Sequence, residues 1–161
     1  MPTATHQTSD PRVLLERRDG AGELTLARWT RGPHAAHGPV LVSVTDFHVP
    51  RAADLVHVYL QGLRLTRAWP SLSGAVGMWM WTKPLRRRAG SVSVWRDEAD
   101  LRRFLRSRPH VRVMRDYRDK GEISSTSWLE ASFDPRSVWA NAAARLARGH
   151  LQAEQQGAAA A

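Results

Sequence analysis

The residue in this sequence best placed to do chemistry is His110. It recurs with Val113, Met114 and Tyr117 at positions i, i+3, i+4 and i+7, so on a helix its ring points where apolar residues point. An imidazole titrates near neutral pH and also binds iron, which allows two functional readings, a general base and the axial ligand of a heme. A core histidine hydrogen-bonded to backbone or cap is the alternative, because buried polar groups find partners. Asp46 and His48 form a second constellation: two residues apart on a strand, they face one side and could make an Asp–His pair that orients a proton-transfer base. An ordinary strand-end cap explains them as well and is the preferred reading. Trp79, Trp81 and Trp95, with Tyr59, are bulky enough to wall a pocket against an aromatic substrate or porphyrin, or to serve core packing and dimer contact. His34 and His37 lie three apart, but in a Gly/Pro-rich stretch that no helix holds, so no metal site is assigned to them. The chain has no phosphate-cradling glycine loop, nucleophile elbow or clustered carboxylate pair, which argues against nucleotide, serine-hydrolase and two-metal chemistry.

Composition narrows the setting. At 161 residues the chain is long enough for one core without staples, and with no cysteine it has neither disulfides nor thiol chemistry. The net charge of +9 is almost all arginine, since Lys83 and Lys120 are the lysines. The arginines are dispersed from Arg12 to Arg148, and a nucleic-acid binder would gather them on one face with stacking aromatics, so nucleic acid is not the expected partner. The cluster Arg86-Arg87-Arg88 reads as a solvated hairpin loop. Met1 to Asp10 lacks the charge and apolar run of a signal peptide and no stretch is long enough to span a bilayer, so a cytoplasmic protein with no membrane partner is expected.

The elements that must position these residues follow from hydrophobic periodicity. Met1 to about Arg12 is polar and aperiodic and reads as disordered. Gly22 to Trp29 alternates as a strand of uncertain role, and Thr30 to Pro39 reads as a loop. From Val40 the pattern sharpens. Val40 to Phe47 is a β-branched central strand, and Arg51 to Ala68 is a helix with Leu55, Tyr59, Gly62, Leu63 and Thr66 on one stripe. Ala75 to Thr82 and Gly90 to Trp95 are strands joined as a hairpin. Asp97 caps a helix carrying Leu101, Phe104 and Leu105, Pro109 breaks or kinks it, a second piece runs from about His110 to Tyr117, and Glu122 to Trp128 is the last strand. This strand, helix, strand, strand, helix, strand order is a ferredoxin-like βαββαβ unit of the α+β class. Asp134-Pro135 starts a further helix bearing Val138, Ala142 and Leu146, expected to pack on the domain or on a partner, and Gln152 to Ala161 is expected to fray. The organisation read from this is an N-terminal extension (1–39), the ferredoxin-like domain (40–132) and a C-terminal helix with its tail (133–161). Strands Val40–Phe47 and Ala75–Thr82 are apolar on both faces, and one layer of helices covers only one of them. A second copy of the chain is the expected cover, giving a homodimer paired into a dimeric α/β barrel.

From Gly90 to Tyr117 a strand ending in Trp95 leads into the acidic helix start Asp97 to Asp100, then Phe104, then the piece containing His110. With Gly74 to Trp81 before it, this layout resembles the antibiotic-biosynthesis-monooxygenase superfamily, and the spacing of Trp95, Phe104 and His110 is most similar to its spheroidene-monooxygenase-like branch, whose members are linked to heme. The resemblance covers about Val40 to Ser132. It implies a pocket between the helices and one sheet face of each subunit. Heme-degrading relatives carry their iron-binding histidine about one turn later, where this chain has Val113 and Met114, so His110 does not inherit that role by position.

The resemblance implies a small monooxygenase of secondary metabolism acting on an aromatic or polycyclic substrate. His110 would be the catalytic base, and Tyr59, Trp79, Trp81, Trp95, Asp46 and His48 would contact substrate. No cofactor is needed in that version, because the substrate supplies the electrons. The alternatives are a heme-binding oxygenase with His110 as axial ligand and a non-oxidative cyclase or binding protein on the same fold.

Overall fold

The computed structural model describes residues 16–18 and 24–159, with side chains from 25 to 149. The segment expected to be disordered, Met1 to Arg12, lies outside the described residues. Strands β1 (Glu16–Arg18), β2 (Leu24–Arg31), β3 (Val40–His48), β4 (Ala75–Lys83), β5 (Arg88–Trp95) and β6 (Glu122–Glu130) form one sheet with helices α1 (Ala52–Ala68), α2 (Glu98–Leu105), α3 (Arg108–Tyr117) and α4 (Pro135–Ala159).

The sheet runs in the order β1-β2-β4-β5-β3-β6 with every neighbouring pair antiparallel. Strands β4-β5-β3-β6 with the crossover helices α1 and α2/α3 are the ferredoxin-like α+β unit that the periodicity predicts. Outside that unit, β2 pairs along β4 from Leu26 opposite Thr82 to Arg31 opposite Gly77, so the strand of uncertain role extends the sheet. The following loop is tied to the same edge by the N–H groups of Gly32 and His34, which donate to the carbonyls of Val76 and Ala75 at 2.9 and 3.0 Å.

The helix boundaries have local causes. Asp97 takes extended backbone angles and its carboxylate accepts from the Asp100 N–H at 2.9 Å, which also holds its pKa below the usual value. Pro109 sits in the first turn of α3, where its missing N–H costs no intrahelical bond, so it divides the helical segment into two pieces rather than kinking one. Asp134 caps α4 through the Ser137 N–H at 2.9 Å. That helix continues to Ala159, past the point at Gln152 where fraying is expected.

Two layers of side chains pack on the sheet. On one face Leu41, Met78, Met80 and Trp95 of the sheet pack with Leu101 of α2, beneath α1 and α2, with Trp69 beside them. On the other Val42, Val44, Trp79, Trp81, Val92 and Val94 meet Val138, Trp139, Ala142 and Leu146 of α4. Here the structure corrects the reasoning that asked for a second copy: the chain's own C-terminal helix covers the second apolar face. A dimeric barrel built on that face would need α4 to leave it.

Candidate functional site

A cavity of about 160 Å³ opens between α1, α2, α3 and the sheet. Its walls are apolar, from Val58 and Leu65 of α1, Met78 and Met80 of β4, Phe104 of α2 and Val113 of α3. Gly62 shapes it too, since any side chain there would run into the thioether of Met80. The floor is different. Ser43 and Thr45 of β3 stand opposite Ser93 and Ser91 of β5, and all four line the cavity. The Ser93 hydroxyl donates to the Ser43 carbonyl at 3.2 Å. These hydroxyls come from the stretches VSVT (42–45) and SVSV (91–94), in which valine alternates with a small polar residue, and the polar parity faces the cavity.

His110 lines this cavity, half-buried at the start of α3. Its Nδ1 lies 3.1 Å from the carbonyl oxygen of Leu105, and its ring is 4.8 Å from that of Phe104. A carbonyl oxygen only accepts, so Nδ1 carries the proton and in the neutral ring Nε2 carries the lone pair. Burial lowers the pKa of His110, against a smaller opposing effect of the Leu105 hydrogen bond. The ring is therefore neutral near pH 7, with a basic nitrogen in an apolar surround. Tyr59 and Tyr117 also line the cavity, and burial, followed by the charge of Asp116, pushes the Tyr117 hydroxyl up, so it stays protonated.

The structure brings together His110 and Tyr59 and separates the other candidates from them. Trp79 and Trp81 are fully buried on the opposite sheet face and do not touch the cavity; Trp79 packs against Trp29 at 4.3 Å and Trp139 at 5.8 Å. The cause is a β-bulge in β4. Ala75 pairs with Trp95, but Gly77 pairs with Val94, so two residues of β4 are spent against one of β5 and the parity reverses. Without it Trp79 and Trp81 would share a face with Trp95. Trp95 stays on the helix side, where it backs the site indirectly: its ring is 5.2 Å from Phe104, which touches His110.

Asp46 and His48 also lie on the α4 face, lining a separate cleft with Arg145 and Leu146. They are not an Asp–His pair aimed at the His110 cavity. Asp46 instead forms an ion pair with Arg88 at 2.7 Å, both side chains largely buried. Arg88 thus leaves the solvated loop assigned to Arg86-Arg87-Arg88, while Arg86 and Arg87 remain exposed. No group of histidines and carboxylates that could hold a metal occurs among the described residues, and no helix there is long and apolar enough to cross a membrane.

No protein-family model and no curated protein sequence matches the chain. Solved structures do resemble it. A heme-degrading enzyme from Listeria monocytogenes superposes with a TM-score of 0.50 at 10% identity, over 65% of this chain and 70% of that one. A protein from Lactobacillus acidophilus named provisionally as a monooxygenase gives 0.50 at 10% identity, over 66% of this chain and 53% of that one. SnoaB, a cofactor-independent oxygenase from Streptomyces nogalater, is 16% identical over 55% of this chain and 90% of that one, with a TM-score of 0.45. At these identities the likeness is one of fold: the chain has the ferredoxin-like α+β architecture on which a heme-degrading enzyme and a provisional monooxygenase are also built.

Proposed function

We propose that the protein is a small oxygenase that takes an aromatic group into the cavity beside His110 and uses no bound cofactor. The observation that carries this reading is the Nδ1–Leu105 hydrogen bond, which commits Nε2 of a neutral, half-buried His110 to accepting a proton. The names of two proteins of this fold, a heme-degrading enzyme and a provisional monooxygenase, support an oxygen-using chemistry, though fold alone does not fix function.

In this reading Nε2 removes a phenolic proton or one from an activated ring CH₂, and hydroxyls of the floor, such as Ser91 and Thr45, donate to the oxygen that gains charge. The substrate anion reduces O₂. Where a CH₂ becomes a carbonyl, one oxygen atom enters the product and the other leaves as water, so the substrate itself supplies all the electrons.

Size sharpens the substrate class. A cavity near 160 Å³ is close to the roughly 150 Å³ that accepts benzene, so it holds one ring, and a polycyclic substrate would extend through the mouth. The same comparison favours a single ring over heme, whose macrocycle joins four pyrrole rings. Oxygen uptake with single-ring phenols and benzylic ketones tests the reading. We expect substrate-dependent uptake without added metal or flavin, and no Soret band on titration with hemin. Solvent proton exchange into the substrate without oxygen uptake would instead make His110 the base of a non-oxidative cyclase.

A further inference from the structure

The chain itself closes two of the ways in which its sheet could meet a second copy. The α4 helix covers the face opposite the cavity, and β2 occupies the outer edge of β4. At the other end of the sheet β6 pairs with β3 alone among the described residues, so its outer edge presents unpaired backbone groups. The strand, EISSTSWLE, has no proline, no glycine and no charge between its terminal glutamates. It thus lacks the devices that usually protect an edge from pairing. It also exposes two large apolar side chains, Ile123 at 46% and Leu129 at 75%, both on the cavity side of the sheet by their odd parity.

We propose that β6 pairs antiparallel with β6 of a second copy about a two-fold axis at Thr126, joining two six-stranded sheets into one. In that register Ile123 of each copy stands opposite Leu129 of the other, and Ser125 opposite Ser127. A slip of one or two residues sets Ile123 against Ser127, Trp128, Glu130 or Ala131 instead, so the two exposed apolar residues select a single alignment. The same alignment sets Glu122 against Glu130, whose carboxylate is turned inward and held by Trp128 Nε1 and Asn141 Nδ2, each at 2.7 Å. The interface also reaches the site. Ile123 lines the cavity, so Leu129 of the second copy comes to lie at its mouth, and the wall there is complete only in the dimer. The pairing does not depend on which reaction the cavity performs.

The test uses the full chain. Sedimentation equilibrium is expected to show a dimer. Because the chain has no cysteine, Thr126→Cys introduces one thiol per copy at the axis, where opposed Cα atoms of an antiparallel ladder stand about 4.5–5.5 Å apart, within disulfide range. It should cross-link in air. Leu129→Cys should not, since its counterpart would lie about 20 Å away along the strand at roughly 3.4 Å per residue. Leu129→Lys, at an exposed position that the fold tolerates, should give monomers with an unchanged circular dichroism spectrum. Adding Ile123→Glu to it should restore the dimer, because each introduced carboxylate then faces an introduced ammonium of the other copy. A monomeric parent protein, equal cross-linking of the two cysteine variants, or a Leu129→Lys protein that still dimerises would each overturn the proposal.

Discussion

The Nδ1 atom of His110 lies 3.1 Å from the carbonyl oxygen of Leu105, the residue that ends α2, so the break between α2 and α3 supplies the group that fixes the tautomer of the imidazole. One short connection, 106–107, therefore sets both the position of the imidazole and its tautomer. Replacing His110 by Gln keeps a polar side chain that can reach Leu105 but removes the proposed base. We expect turnover to fall by about 10²–10⁴-fold with the fold retained, measured as oxygen uptake beside far-ultraviolet circular dichroism. Unchanged turnover would remove His110 from the mechanism.

The lowered pKa of His110 has a sign that can be checked. Its neutral form is the one the fold prefers, so between the folded and the ordinary value the unfolded chain binds more protons, and stability rises with pH across that window. The contribution is complete above the ordinary histidine value of about 6.5 and is lost as pH falls through the lower, folded value. Urea midpoints from mildly alkaline to mildly acidic pH should show this slope, and His110→Gln should flatten it. In the intact protein the acid limb of kcat/KM should fall below the ordinary histidine value.

Met80 and Trp81 are neighbours in the chain but face different layers, the cavity and α4. Trp81→Ala should cost about 3–5 kcal/mol of stability, as large aromatic deletions in cores do. Substrate affinity per folded molecule should stay the same. A change in KM at constant stability would return Trp81 to the site.

The Leu146 side chain is buried against the sheet from α4, and Leu146→Ala should cost about 2–5 kcal/mol. Ending the chain before Pro135 should do more, because Val42, Trp79, Trp81 and Val92 would lose their cover. Enhanced binding of a hydrophobic dye and aggregation are the expected readouts; a well-behaved truncated protein would show that something else covers this face.

Asp46→Asn should destabilise the protein without slowing turnover. It leaves Arg88 partly buried beside a neutral amide, and breaking a pair of this kind costs up to about 3–5 kcal/mol when fully buried, less here because Arg88 keeps some solvent contact. Thermal unfolding and oxygen uptake together separate this structural role from a catalytic one.

Much of this was legible in the sequence. Alternation in Val40–Phe47, the cap at Asp97, the break at Pro109 and the helical spacing of His110 with Val113, Met114 and Tyr117 all concern residues close in the chain, where backbone geometry and local hydrogen bonds decide. So the order of elements, and with it the ferredoxin-like topology, follows from the amino acids read in turn. The hydroxyl floor left a signal too, serine and threonine alternating with valine in two strands, but which face they take depends on how the helices dock.

What the tertiary structure decided was which face is which. Alternation says that Met80 and Trp81 point opposite ways, but not which meets the helices. The β4 bulge settles it by reversing parity between Ala75 and Gly77, and its only trace in the sequence is a glycine inside a strand. The sequence likewise shows two apolar sheet faces and a thin stripe on a C-terminal helix, but not that the one covers the other. Strand register and helix docking are agreements between distant segments, fixed by how their side chains fill a shared volume. That is why His110 lies beside Val113, Met114 and Tyr117 as its spacing implies, while Trp79, Trp81, Asp46 and His48 fall on the other face of the sheet.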